Sequence, residues 1–589
     1  MLAPVDAIKG SPIYTAAFII GLYYATLLVR RLIHTYRIRQ RFKDIPSLPR
    51  HPLWGNLINT GEKVNPATNR HPDYGFEEVW NQLNRPSAFI MDLNPIDNVY
   101  LIVTDSTIAE AIVQPSPQFK YSALKSDTLT SLYRLVGRES LIIEEGEEWK
   151  NLRKRFNRGF APAHLHSLSP LIISKTRIFV DRLKASAKAN EVFELKDYTQ
   201  DLTTDIITEL TIEKDFQSQT LPEGQGHKGR LGMLTASRDL SNLMFKPGQG
   251  FSLLAQLDPI RPIKAWFYEQ VFNHELTKVI KQQIEVERSS NQAAATTAAD
   301  EKPSRVYAKS ITRLALSGLQ PTPELIRNSV SQIKSFLFAG QDTTATLIQW
   351  MCFELSKSSF SAHHNTIVKK LIDEHDQVFG ATADPFNALD VLGREDDEGR
   401  KEAEAILGMK LPYTTAFVRE TLRLHPPAGT ARRIPEISPE NPTPFTISLP
   451  VSPGSTETKE VTLNGLRTYI CQHIIQRNPA VWGDDAELFR PDRWFDEEYV
   501  AKLPTGAWRP FERGPRNCIG QELALIEAKV ALCALARGFA FHKEGYSGRK
   551  PAGIVQGDGS DDPDRELWSK HSVTAVPMDG MRMRVELKI

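Results

Sequence analysis

Ten residues near the C-terminal end, Phe511-Glu-Arg-Gly-Pro-Arg-Asn-Cys-Ile-Gly520, restrict this chain more than any other stretch. They set Cys518 between Gly514 and Gly520, with Arg516 two residues before it, and a run of good helix formers starts at Leu523. Gly514 lets the backbone turn tightly or approach a flat ligand, and Gly520 does the same at the mouth of the coming helix. Cys518 is therefore expected at a helix N-terminus, where amide dipoles favour the thiolate, the form that ligates a metal. Arg516 is a fixed cation able to pair with an anionic group lying against the loop. A lone cysteine reads by itself as a small buried apolar side chain. The frame around Cys518 reverses that reading.

Phe511, Gly514, Arg516, Cys518 and Gly520 fill every defined position of F-x-x-G-x-R-x-C-x-G, the haem-binding loop of the cytochrome P450 superfamily, and on this frame the chain resembles that superfamily. The resemblance implies a mainly α fold with a small β region, preceded here by one N-terminal transmembrane helix. It also implies haem b as cofactor, Cys518 as axial thiolate ligand of its iron, and Phe511, Gly514, Arg516 and Gly520 as residues of the cradle.

Composition removes other classes. The chain has 589 residues, 41% hydrophobic and 24% charged, with a net charge of +1, so it can bury a large core and shows no basic excess for nucleic acid. Its 4 cysteines, Cys352, Cys471, Cys518 and Cys533, are scattered, which indicates neither a disulfide framework nor a zinc site and fits a reducing compartment. Ile13 to Val29 is an uncharged run near the lower limit of about 17 residues for a spanning helix. Arg30, Arg31, Arg37, Arg39, Arg41 and Lys43 follow it and would hold that side in the cytoplasm. A cleaved signal peptide fits less well, because the basic residues follow the apolar run, and a buried core helix is a weaker third reading. The expected organisation is an anchor with its basic stop over 1–44, a proline-rich hinge over 45–56 and a catalytic domain over 57–589. The anchor places the protein in the endoplasmic reticulum membrane, single-pass, with the catalytic body in the cytosol.

Along the body, Pro86 to Thr104 alternates as a β-hairpin and Asp105 caps the helix after it. Trp149 and Arg153 share one face of a basic helix, and both meet a haem propionate if the resemblance holds. Lys150, Lys154 and Arg158 then belong to a docking face for an acidic electron donor. Thr322 caps, and Pro323 opens, a long helix that carries Ala339-Gly-Gln-Asp-Thr-Thr344, where Gly340 and the polar residues predict a local distortion. This hexamer is similar to the family's oxygen-activating motif: Asp342 and Thr343 deliver protons above the iron, while Ala339 and Gly340 border the haem. Glu420 and Arg423 are three apart on a helix ending at His425-Pro-Pro, a pair worth only about 0.2–0.5 kcal/mol if exposed. The family buries that pair and completes it with a second arginine, here Arg493, in a structural role. The same resemblance gives Arg432 a propionate and notes Gln476 where many members carry histidine. Segments 287–303, 393–408 and 436–458 are biased in composition and read as surface insertions. His571 to Thr574 is expected to carry a turn into the pocket.

The resemblance thus implies a haem-thiolate monooxygenase that takes electrons from an NADPH-cytochrome P450 reductase, with cytochrome b5 as a further donor, and hydroxylates or epoxidises a lipophilic substrate with O2. The style of the oxygen helix and of the insertions is that of filamentous-fungal members acting in secondary metabolism. Two rivals stand beside this reading: an isomerase or dehydratase on the same scaffold that needs no reductase, and a haem-binding sensor without catalysis.

Overall fold

The computed structural model describes residues 12–588 except 62–69, 95–96, 221–231, 246–257, 259, 297–308, 360, 453–454, 545–566 and 571–573. It opens with helix α1 (Pro12–Arg41), which runs well past the expected span. Its residues Phe18, Ile19, Ile20, Leu22, Tyr23 and Tyr24 are exposed. Among the described residues no helix is long and apolar enough to cross a membrane, which departs from the expected span over 13–29. Tyr23, Tyr24, Thr15 and Thr26 put hydroxyls within that run and lower its mean hydropathy. The C-terminal end of α1 is tied to the body: Arg39 pairs with buried Asp92 at 2.5 Å and Phe42 is buried. The proline-rich segment is stitched down as well. Ile90 N–H donates to the Pro46 carbonyl at 2.8 Å, and Asp92 N–H donates to Asn56 Oδ1 at 2.9 Å.

The expected hairpin is β1 (Ala88–Asp92) antiparallel to β2 (Val99–Val103), and Asp105 caps α2 (Ser106–Val113) through the N–H groups of Thr107 and Ile108. Strand β3 (Leu124–Lys125) precedes the basic helix α3 (Gly146–Asn157). A helical layer follows: α4 (Ser169–Ala189), short strand β4 (Phe193–Glu194), α5 (Leu195–Ile212), α6 (Met233–Phe245), α7 (Ile260–Thr296) and the long α8 (Pro323–Ser356). Helix α7 takes in 287–296, so this half of the expected insertion is ordered helix, while 297–303 lies outside the described residues.

The second half holds α9 (Ala362–Phe379), α10 (Pro412–Leu424), β5 (Thr430–Arg433), β6 (Thr446–Pro450), β7 (Thr458–Thr462), β8 (Arg467–Ile470), α11 (Gln521–Leu535), β9 (Phe539–Lys543) and β10 (Arg582–Leu587). The strands form one five-stranded sheet in the order β1-β2-β8-β5-β3 and two smaller sheets, β4-β10-β9 and β6-β7. Two further biased segments are also built into the fold. Segment 393–408 contains a helix over Asp397–Ala405, and 436–458 supplies β6, which pairs with β7.

Behind α11 the Glu420 carboxylate is wholly buried between two guanidiniums. Arg423 reaches its oxygens at 2.8 and 3.0 Å, and Arg493 Nε reaches Oε1 at 2.9 Å. Trp494 Nε1–H and Arg490 N–H complete its shell at 3.1 and 2.9 Å. Gln476, also buried, donates both amide hydrogens, at 3.0 Å each, to the Leu422 and Arg423 carbonyls and accepts Arg509 N–H at 2.8 Å. Its two donors and one acceptor satisfy three backbone groups at once. An imidazole has one group fewer to offer.

One ionisable group of the core lacks any such shell. Glu527 on α11 is 4% exposed with Oε2 unpartnered, and burial pushes its carboxyl from 4.5 up to about 8. The folded state therefore holds the proton longer than the unfolded chain, and stability falls as pH rises from 4.5 toward about 8. The slope approaches ~1.4 kcal/mol per pH unit. Glu527→Gln removes it, so the variant's lead over wild type in thermal unfolding is expected to widen from about pH 5 to about pH 8. An equal lead at both pH values would contradict this.

Candidate active site

The loop from Phe511 is closed by its own backbone: Cys518 N–H donates to the Phe511 carbonyl at 2.8 Å and Asn517 N–H to that of Gly514 at 3.2 Å. Gly514 sits at φ +73°, and a Cβ there would lie 2.3 Å from the Val113 carbonyl oxygen at the end of α2, so the turn admits no side chain. Helix α11 starts at Gln521 with Gly520 as its N-cap. Cys352, Cys471 and Cys533 are buried, whereas Cys518 is accessible. Protein nevertheless crowds its Sγ, since desolvation is the largest influence on the thiol.

Burial is the largest influence on Cys518 and raises its thiol, opposed by the Gly520 N–H and the charges of Arg153 and Lys125. This corrects the expectation from the helix end alone. In the protein by itself desolvation outweighs those three, and the thiolate needs a cation set opposite it.

Such a site also gathers positive charge. Pairing of β3 with β5 sets Lys125 against Arg432. Arg432 is 1% exposed, its one hydrogen bond goes to the Ala431 carbonyl at 3.1 Å, and its Nε is buried without a partner. Arg516 pairs with Glu145 and the Glu144 carbonyl, and its Nε is unpartnered too. Burial lowers Arg516 to about 10 and Lys125 well below its usual range. Trp149 is buried beneath Arg516, whose guanidinium carbon stands 4.8 Å from the ring centroid. Trp149 thus serves as a platform for Arg516. Arg153 Nη1 and Nη2 clamp the Asn517 carbonyl and side-chain oxygen at 2.7 and 2.9 Å. It orients the residue before Cys518.

Facing this set, α8 is buried on either side of residues 338–343, which alone in its central part are half-exposed. The helix continues through this segment without the expected distortion. Thr343 Oγ1 donates to the Ala339 carbonyl at 2.7 Å, a side-chain bond added to the ladder without opening it. Asp342 accepts from Gln200 Nε2 on α5 at 3.1 Å and from the Thr574 hydroxyl. Thr574 is the described end of the turn expected to enter the pocket, and 571–573 lie outside the described residues. Gln200 carried no sequence signal, because only the packing of α5 on α8 brings it near. A Cβ on Gly340 would come within 2.9 Å of Ile207 Cδ1, so its small size serves the α5–α8 approach.

A family model described as Cytochrome P450 matches residues 46–437 and 464–552. The chain belongs to the cytochrome P450 family. Two fungal proteins are among its curated relatives. Cytochrome P450 monooxygenase acrF of Aspergillus aculeatus is 27% identical over 88% of this chain and 98% of its own length. Cytochrome P450 monooxygenase polC of Polytolypa hystricis is 26% identical over 91% of this chain and 89% of its own. A cytochrome P450 crystal structure superposes with a TM-score of 0.63 at 17% identity, covering 88% of this chain and 99% of that one, which supports the mainly helical fold with small sheets. The side chains present fit the haem iron cofactor that this cytochrome P450 family implies. Cys518 supplies the sulfur, and the unpartnered nitrogens of buried Arg432 and Arg516 supply donors for carboxylates. Phe511 shapes the start of the same cradle through its carbonyl.

Proposed function

We propose that this cytochrome P450 is a haem-thiolate monooxygenase that inserts one oxygen atom from O2 into a lipophilic small molecule, by hydroxylation or epoxidation, in fungal secondary metabolism. The observation that carries the proposal is the accessible Cys518 beside two buried arginines, Arg432 and Arg516, each with an unpartnered Nε, and an aspartate on α8 held between two hydrogen-bond donors. Haem b bound through Cys518 would supply the oxidising iron. Arg432, Arg516 and Lys125 neutralise its carboxylates, and Arg153 keeps Asn517 and the sulfur in place. Asp342 holds a proton-transfer position at its carboxylate, shared with Gln200 and Thr574, and Thr343 lies next to it on the half-exposed stretch. Retention of this acid–alcohol pair favours oxygen chemistry over an isomerase, a dehydratase or a sensor.

Electrons are proposed to come from an NADPH-cytochrome P450 reductase, with cytochrome b5 as a second donor, docking where Lys150, Lys154 and Arg158 stand exposed on α3. The exposed apolar residues of α1, followed by arginines that tie its other end to the body, support an anchor in the endoplasmic reticulum membrane with the catalytic body in the cytosol.

The test is reconstitution with haem, reductase and NADPH, tracing isotopically labelled O2 into product. A reduced carbon monoxide spectrum of the thiolate type together with reductase-dependent incorporation of one labelled atom is expected. Turnover that needs no reductase would overturn the proposal. Asp342→Asn is expected to leave that spectrum unchanged while cutting oxidation by roughly a hundredfold or more, because the carboxylate no longer passes a proton. A variant oxidising at the wild-type rate would remove Asp342 from the relay.

A further inference from the structure

A cavity of about 640 Å³, within the usual range for small-molecule sites, opens between α7, the N-terminal half of α8 and the chain near Gly137. Among the described residues its lining includes none of 335–343 and none of the cysteine loop, so it is separate from the site around Cys518. Arg138, Lys281 and Arg327 line it as exposed cations, and a fourth cation, Lys334, is only 2% exposed. Two carboxylates, Glu139 and Glu269, stand against these four, and Glu269 is already engaged by Arg134 at 2.7 Å. Two groups of the wall are incomplete. The Lys334 ammonium has three donors, yet its hydrogen bond goes to one neutral acceptor, Asn273 Oδ1 of α7, at 3.0 Å. Glu139 Oε2 is buried without a partner. Charged groups so sparsely partnered cost stability unless something completes their shells. Burial lowers Lys334 to about 8, which leaves it protonated near neutral pH.

A single ligand completes both groups if it carries anionic oxygens for Lys334 and a hydroxyl donor for Glu139. One negative charge would leave the three exposed cations unanswered, so the ligand carries more than one. We infer that the cavity is a second binding site, remote from Cys518, for a small hydroxylated polyanion, either a sugar phosphate or a hydroxy polycarboxylate. Lys334 holds an anionic group, Glu139 accepts from a hydroxyl, and Arg138, Lys281 and Arg327 attract the remaining charge to the opening. The ligand is an effector and not a substrate, because the lining stops short of the Asp342 segment. The inference stands apart from the monooxygenase reading. An alternative role for Lys334, a tie between α7 and α8 through Asn273, predicts no preference for a polyanion.

The test is calorimetric titration of the full-length holoenzyme, with the haem Soret band followed in parallel. Glucose 6-phosphate and AMP are titrated beside inorganic phosphate, and citrate beside tricarballylate, which is citrate without its hydroxyl. At least one hydroxylated polyanion is expected to bind at one site per chain, about tenfold or more tightly than its comparison ion, with the Soret band unmoved. Binding by glucose 6-phosphate or AMP marks a phosphate site, and binding by citrate a polycarboxylate site. Lys334→Met should weaken that binding about tenfold or more, and Lys334→Arg should keep it. Met matches the lysine stem and leaves no buried charge, so the variant is expected to fold, and the comparison with the simpler ions needs wild type alone. Binding no tighter than that of inorganic phosphate and tricarballylate would mean an adventitious ion only and overturn the inference. So would binding that survives Lys334→Met, or binding that shifts the Soret band and thereby places the anion at the haem.

Discussion

Cys518→Ala is expected to abolish substrate oxidation and the thiolate-type carbon monoxide band while leaving the far-ultraviolet circular dichroism unchanged. Among the four cysteines it alone is accessible, the other three being buried. The loop does not depend on the sulfur for its shape. The Cys518 N–H to Phe511 bond, the Arg153 clamp on Asn517 and the turn at Gly514 all use other atoms. Serine is no substitute, since a hydroxyl is far harder to ionise than a thiol and is a poor partner for a soft metal centre. A Cys518→Ala protein that kept the thiolate-type band would show that another residue ligates the iron.

Glu420→Gln carries the largest expected loss of stability, about 3–5 kcal/mol, read from denaturant unfolding and from the yield of haem-loaded protein. In wild type one carboxylate compensates two guanidiniums, and the side chains of Glu420, Arg423 and Arg493 are all 0% exposed. The amide leaves both cations buried without their shared carboxylate; Arg493 keeps the Tyr499 hydroxyl at 2.9 Å and the Asp485 carboxylate at 3.5 Å, and backbone carbonyls supply the other acceptors. Arg423 donates to those of Gln476, Ala486 and Leu488, and Arg493 to those of Asp485 and Leu488. The same pair on a solvated helix face is worth only about 0.2–0.5 kcal/mol, so the tenfold difference comes from burial. A loss under about 1 kcal/mol would mean that the cluster is solvated in solution.

How much of this could be read from the chain depended on how local each feature is. The cap at Asp105, the hairpin and the cap at Thr322 rest on neighbours within a few residues and stand as expected. The biased segments 287–296, 393–408 and 436–458 each contribute a helix or a strand, which composition does not register because it is blind to the partners those residues meet. Gln476 was a departure without a consequence until its three hydrogen bonds to backbone were visible.

Sequence alone pointed to the family, its chemistry class and Cys518 as the candidate ligand, because the spacing around Cys518 is local and its glycine requirement is steric. It also supplied Asp342, Thr343 and the two ends of the Glu420 cluster as residue types. Only the tertiary structure decided what they do to one another. Gln200 and Thr574 reach Asp342 across 142 and 232 residues of chain. Arg153 clamps the loop through Asn517, and Gly340 answers to Ile207 on a neighbouring helix. Burial, which has no signature at a single position, then sets the energies: it raises the Cys518 thiol and leaves the Arg432 Nε without a partner. It also leaves the Lys334 ammonium with a single neutral acceptor.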